Sequence, residues 1–443
     1  MALGAVLEPA IVVTLLFGGA WINRRKREDA SHDWCDFDDG DYEDDDDDDD
    51  DEGGGGEEPL GENGDDALDS RRRSGSSCWS ASSSTTLATT EVSSAVKVSS
   101  SSSASTSAFR RRRLRFFGWE WVVRAPNTAL FRHRLLSRLL HRFPFLVEAW
   151  YWALIYWVYQ LGRAFTAITL VEGTVTVARK HALQLIHLEQ RLGIFLELPV
   201  QKWFLARPLL LHWINRTYSF IHIPGTIFFL VCLFYITTTR RGNAAGPALY
   251  EARRRTMAMC NLLAFVVFTL WPCMPPRLLS DADYEGEEAV EAKSYGFVDT
   301  VHGSDGESSV WTTNRFCNQY AAMPSLHFGY SLLIGLTIAT LPVSGLRWTS
   351  WKRIAMATLG MAYPTLILTA IVATANHFLL DAVAGAMVCG LAWQSNGLLL
   401  NLSVLEDYFL WFLRIHKPVH VSASESDRRR RRRRRLLKQE EMA

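Results

Sequence analysis

In 443 residues, 47 Lys and Arg balance 47 Asp and Glu, and the mean hydropathy is near zero. Both averages hide a division. Residues 28–108 are polar, acidic and serine-rich and residues 145–400 are mostly apolar, which excludes the two or three soluble domains that length alone suggests. The seven cysteines are scattered, without the paired spacing of a zinc site or a disulfide framework.

Residues 2–21 are apolar and are followed by Asn23-Arg24-Arg25-Lys26. Such a stretch suits one bilayer crossing, which takes roughly 20 residues. No basic region precedes it, so an uncleaved membrane anchor over 1–27 is expected rather than a cleaved signal peptide. Residues 28–108 carry the acidic run Asp44 to Asp51, glycines 53–56 and a serine-rich tract. They have too little apolar surface to offset chain entropy, and a disordered linker is expected. Residues 109–144 are basic, with Arg110 to Arg113, Arg115, Arg132, Arg134, Arg138 and Arg142 among leucines. The pattern predicts a helix lying on an anionic membrane surface. The segment leads straight into a membrane helix, so lipid rather than nucleic acid is the expected contact.

Six apolar spans follow, near 145–170, 209–237, 256–274, 325–343, 353–374 and 377–396. Residues 174–205 form an amphipathic connector, and a polar loop covers about 279–320. Residues 401–443 form a basic tail that includes Arg428 to Arg435. The expected fold class is all-α: a polytopic membrane helix bundle with six core spans in a domain over 145–400, plus the N-terminal transmembrane helix. Clusters of Lys and Arg should face the cytosol. Seven crossings satisfy Arg24 to Lys26, the 109–142 segment, Arg240-Arg241 with Arg253 to Arg255, Lys352-Arg353 and the tail together. Arg277, His327 and His377 then converge on the opposite, exoplasmic face.

Ionisable residues beside apolar spans are costly and usually functional. His377 and Asp381 are four apart, on one face of a helix, where the Asp can hold the ring in one tautomer and stabilise its positive charge. His327 follows Pro324-Ser325 and is placed to protonate a leaving group. A nucleophile or base, an acid and cationic phosphate donors make up a phosphoryl-transfer set. Arg277 is a bidentate phosphate donor by chemistry, or an interfacial arginine with its head in water. Ser325 donates to phosphate or caps a helix. Arg315 and Asn314 also precede the fourth span. The structural alternative for His377 and Asp381 is an intramembrane pair that satisfies itself. His181, His187, His212 and His222 lie at helical positions near the connector and second span. With Asn215 and Tyr218, they line a cavity or pack in the core; the sequence leaves both open.

Three segments carry a resemblance. They are Trp271-Pro272-Cys273-Met274-Pro275-Pro276-Arg277-Leu278, Tyr320-Ala321-Ala322-Met323-Pro324-Ser325-Leu326-His327 and Asn376-His377-Phe378-Leu379-Leu380-Asp381-Ala382-Val383-Ala384-Gly385. In that order, each at a helix end, they resemble the type-2 phosphatidic acid phosphatase superfamily, and most closely its inositolphosphotransferase branch, which includes inositol phosphorylceramide synthases. The resemblance implies His377 as nucleophile through a phosphohistidine, Asp381 orienting it, and His327 as general acid. Arg277, Ser325 and Arg315 would bind phosphate, and no metal or cofactor is called for. It implies a phospholipid or sphingolipid substrate in an endomembrane, Golgi or endoplasmic reticulum, with the chemistry on the lumenal face. Leu326 and Ile371 depart from the wider superfamily, where glycine and arginine are common. Lys202 with Arg207-Pro208 is one residue short of its first motif. A non-catalytic scaffold that keeps the fold is the alternative; it would need none of His327, His377 and Asp381. A Cys273–Cys317 disulfide across the polar loop is a further expectation, in a compartment that permits one.

Overall fold

The computed structural model describes residues 2–25, 108–116, 118–169, 173–240, 246–280, 286–301, 320–343, 345–347 and 349–418. The expected linker over 28–108, Arg315, Cys317 and the poly-arginine run lie outside the described residues, apart from residue 108. The described chain is mostly helical. Its helices are α1 (Ala2–Ile22), α2 (Leu135–Arg142), α3 (Phe145–Thr169), α4 (Thr174–Leu192), α5 (Glu197–Leu205), α6 (Pro208–Arg216), α7 (His222–Phe234), α8 (Gly246–Leu270), α9 (Glu287–Ser294), α10 (Leu326–Thr340), α11 (Trp351–Ala373), α12 (Leu379–Ser395) and α13 (Ser403–Leu413). Strands β1 (Phe109–Phe116) and β2 (Trp119–Pro126) make a two-stranded antiparallel sheet.

Among the described residues, three stretches are long and apolar enough to cross a membrane: His222–Thr239, Trp351–Ala373 and Leu379–Leu413. Pro9–Ile22 and Leu326–Thr340 are apolar but shorter. The expected spans near 145–170 and 256–274 fall on α3 and α8, which are helical without meeting the same criterion of length and apolarity.

The basic segment corrects the sequence reading. Residues 109–126 form a hairpin, not a surface helix. β-Branched and aromatic residues on the second strand, Trp119, Trp121, Val122 and Val123, favour extended backbone. Gly118, at φ +87°, supplies the left-handed turn that other residues resist. Arg110 and Arg112 share one face of β1, and both bind Asp407 of α13. Residues 403–413, read as tail, are therefore helical and form part of the packed structure. The polar loop likewise contains a short helix, α9.

Packing follows small residues and rings. A Cβ on Gly335 of α10 would lie 2.6 Å from Gly360 O of α11, and the reverse contact is also 2.6 Å. Only two glycines allow these backbones to touch, as in closely packed membrane helices. Phe145, Phe234 and Tyr250 pack edge to face, with centroids 5.3 and 5.0 Å apart, at the centre of one core. A second core gathers Ile186, Cys273, Met274, Ala375 and Phe378 behind the motif segments.

Candidate functional site

The three motif segments meet where α10 and α12 begin. After α8, Cys273 N donates to Tyr320 O at 2.8 Å and Ala322 N donates to Cys273 O at 3.1 Å. The first and second motifs thus run side by side in one parallel bridge. α8 has already ended at Leu270, just before Pro272, and Pro275 leads into a single 3-10 turn, Pro276–Leu278. Arg277 N then donates to Ala375 O at 2.8 Å. The Arg277 side chain gives Nε–H to Asn376 Oδ1 at 3.0 Å and pairs with Asp299 Oδ2 at 2.7 Å.

α11 stops just before the third motif. Ala375 N donates to Val372 O and Asn376 N to Ile371 O, each at 3.0 Å, which is the double bond of a Schellman stop. Ala375 takes the left-handed position, φ 51°, where glycine is usual. The chain reverses there and delivers His377 into the protein, 6% exposed.

His377 Nδ1 lies 2.7 Å from Ala322 O and 3.5 Å from Asp381 Oδ2. A carbonyl only accepts, so Nδ1 carries the proton and Nε2 presents its lone pair. The tautomer is therefore set first by a backbone carbonyl of the second motif, a partner that residue spacing does not reveal. Asp381, fully buried, takes Phe378 N on Oδ2 at 2.9 Å and adds charge beside the ring. Ser325 is fully buried and caps α10, its Oγ accepting from Phe328 N at 3.4 Å. Its own N donates to Asp381 O at 2.9 Å. A Cβ on Gly385 would come within 2.3 Å of Ser325 O, so the glycine of the third motif permits this approach.

His327 faces His377 with ring centroids 5.7 Å apart. Its other ring neighbours are Tyr218 at 4.8 Å and His222 at 4.9 Å, and His222 Nδ1 is 3.0 Å from Tyr363 OH. Of the four histidines that the sequence left open, His222 joins the site. His181 stacks on Trp271 at 3.8 Å, and His187 pairs with Glu291 near the surface. His212 has the neighbouring Trp213 as its ring contact. Asn215 Nδ2 donates to Thr300 O at 3.2 Å and helps hold the loop that presents Asp299. Lys202 and Arg207 are exposed, and Arg207 stacks on Trp203 at 3.8 Å.

The structure thus gathers His377, Asp381, His327, Ser325 and Arg277 about one reversal of chain, residues 375–381. Cys273 is a buried thiol, and Cys317, its expected disulfide partner, lies outside the described residues. Two residues escaped the sequence reading. Glu197 Oε1 accepts from Leu379 N at 2.6 Å, and Glu189 Oε1 from Leu380 N at 2.8 Å. Both are fully buried, within a connector whose charges look like an ordinary solvated face. An apolar groove of about 480 Å³ runs between α5 and α11 and reaches Leu379, with Leu196, Val200, Phe204 and Val372 on its walls. Among the described residues, no group of three or more His, Cys, Asp or Glu is arranged to hold a metal ion.

Residues 183–394 match the family model described as the PAP2 superfamily. That stretch holds all three motif segments and supports the superfamily for the helical domain. No curated protein and no solved structure matches the chain.

Proposed function

We propose that this protein is a multi-pass membrane enzyme that transfers a phosphoryl-linked group of a lipid through a covalent phosphohistidine. The supporting observation is the paired geometry of His377 and His327, one ring fixed through Nδ1 and the other facing it at 5.7 Å. His377 Nε2 attacks phosphorus, the bond from phosphorus to the lipid oxygen breaks, and His327 gives that oxygen a proton. Water or a second lipid hydroxyl then attacks the phosphohistidine. The P–N bond breaks, and the acceptor's proton returns to His327. Asp381 stabilises the imidazolium and Arg277 with Ser325 binds the phosphate oxygens, a role that the resemblance extends to Arg315. Arg277 would exchange Asp299 for that phosphate. The groove beside Leu379 favours a substrate with an acyl chain.

The resemblance to the inositolphosphotransferase branch favours a phosphatidylinositol donor and a ceramide acceptor. The distribution of Lys and Arg favours six core spans, a cytosolic C-terminal tail and a site on the lumenal face of an endomembrane. The test is a release-and-transfer assay on purified protein beside His377→Ala. The lipids are phosphatidic acid alone, then phosphatidylinositol with ceramide. Phosphate release alone marks hydrolysis, and labelled headgroup on ceramide marks transfer. Equal rates for wild type and a folded His377→Ala would end the nucleophile assignment.

A further inference from the structure

Three successive amides after His377 each donate to a different carboxylate. Phe378 N binds Asp381 Oδ2 at 2.9 Å, Leu379 N binds Glu197 Oε1 at 2.6 Å, and Leu380 N binds Glu189 Oε1 at 2.8 Å. The carboxylates come from α12 itself, from α5 and from α4. The first amides of a helix have no partners within it, and its N-terminus favours negative charge. One Ser, Thr, Asn or Asp from the same chain segment usually meets that need. Here two glutamates are brought in from other helices, both with no exposed surface.

That arrangement is costly. Glu189 Oε2, Glu197 Oε2 and Asp381 Oδ1 are buried without a hydrogen-bond partner among the described residues. Burying a carboxylate that is not fully paired is costly even after relaxation. The gain from a helix cap alone is smaller than that cost and does not explain two of them. What the pair adds is rigidity at one point: α4, α5 and α12 are tied together at the two residues that follow Phe378.

We propose that Glu189 and Glu197 are positioning residues for His377. They fix the backbone on its C-terminal side while Ala322 O fixes its ring. This rests on reading His377 as the nucleophile. A misplacement of about 1 Å at a reacting group costs on the order of a hundredfold in rate, so a rigid mount there has a catalytic return. Burial, then the neighbouring Glu197, pushes Glu189 up to about 9. The groups facing Glu189 are Glu197 from α5, Asp381 from α12 and the Cys273 thiol beyond α8.

The experiment compares Glu189→Ala, Glu197→Ala, Glu189→Gln and Glu197→Gln in the full-length protein. Each alanine variant should lower kcat tenfold to a hundredfold, with KM changed less than about twofold. Each glutamine variant keeps an oxygen for the amide and should restore most of that loss. Amide exchange at Leu379 and Leu380 should quicken in the alanine variants alone. Wild-type kcat in both alanine variants, or glutamine as damaging as alanine, overturns the proposal. If an alanine variant does not fold, the double glutamine variant decides. It should keep most turnover and wild-type exchange at Leu379 and Leu380; a tenfold or greater loss of kcat in that folded variant overturns the proposal. If wild type turns over no lipid phosphate, the functional reading fails separately. Exchange at Leu379 and Leu380 then judges the mount: unchanged rates in the alanine variants overturn it.

Discussion

The site and the arginine hairpin handle charge in opposite ways. Around residues 375–381, acidic groups are buried and spend their oxygens on backbone amides, with three oxygens left over. In the hairpin, Arg110 and Arg112 are 22% and 27% exposed in their side chains and converge on Asp407, at 2%. The hairpin arrangement pairs charge with charge and leaves the cations partly in water. The site's arrangement costs stability and gains a fixed geometry. Regions that carry chemistry tolerate such costs, and regions that only dock do not need them.

The largest expected effect breaks the comparison at its chemical end. His377→Ala should lower turnover by about a thousandfold or more, because nucleophile and base act as one unit. Asp381→Asn should cost less. The ring keeps its bond to Ala322 O, and an asparagine oxygen still accepts from Phe378 N. Steady-state kinetics on folded variants checks the order; a larger loss in Asp381→Asn would show that Asp381, not Ala322 O, governs the ring.

Opposite responses to pH follow from the same contrast. Glu189 is held up at about 9, against an ordinary 4.5, by burial and then Glu197. Its contribution to stability is complete below about 4.5 and is lost as pH rises through about 9. His141 and His416 are held down at about 4, first by burial and then by Arg25 and Arg110 respectively. Their contribution is present above about 6.5 and is lost as pH falls through about 4. Hydrogen exchange, corrected for intrinsic rate, should show residues 376–382 loosening toward pH 9 and residues 135–142 loosening toward pH 4. Both segments loosening at the same extreme would contradict this account.

Asp407→Ala removes the carboxylate shared by two arginines. It should lower stability by about 2 kcal/mol, since hydrogen bonds to charged groups contribute roughly 1.5–3 kcal/mol and the freed arginines regain water. Turnover should stay at the wild-type level, because the hairpin's hydrogen bonds outside itself, among the described residues, go to Asn401, Asp407 and Tyr408 rather than to His327, His377 or Asp381. A matching loss of kcat would couple two regions that the structure keeps chemically separate.

The two regions also differ in how readable they are. Motif spacing indicated His327, His377 and Asp381 because each interrupts an apolar run, and the structure places them together. The hairpin was read as a helix because consecutive arginines mask period-two alternation. The register that pairs Arg110 with Ala125 and Arg112 with Val123 appears only when both strands are aligned. Glu189 and Glu197 were invisible for a related reason. Among the charges of α4 and α5, nothing in the spacing marks the two that turn inward. The Ala322 carbonyl has no side-chain signature at all.

The smallest effect sharpens the account of the site's cost. Ala375 occupies a left-handed position, φ 51°, at the stop that aims His377. A residue with a Cβ pays about 1–2 kcal/mol there, and glycine does not. Glycine also loses more freedom on folding, which takes back about 0.5–1 kcal/mol. Ala375→Gly should therefore raise stability by roughly 0.5 kcal/mol in denaturant titration. Ala375 O accepts from Arg277 N in either case, so the reversal of chain is retained. If activity falls while stability rises, the strained alanine is part of what holds His377 in place. If both stay level or improve, the three carboxylates hold that position without it.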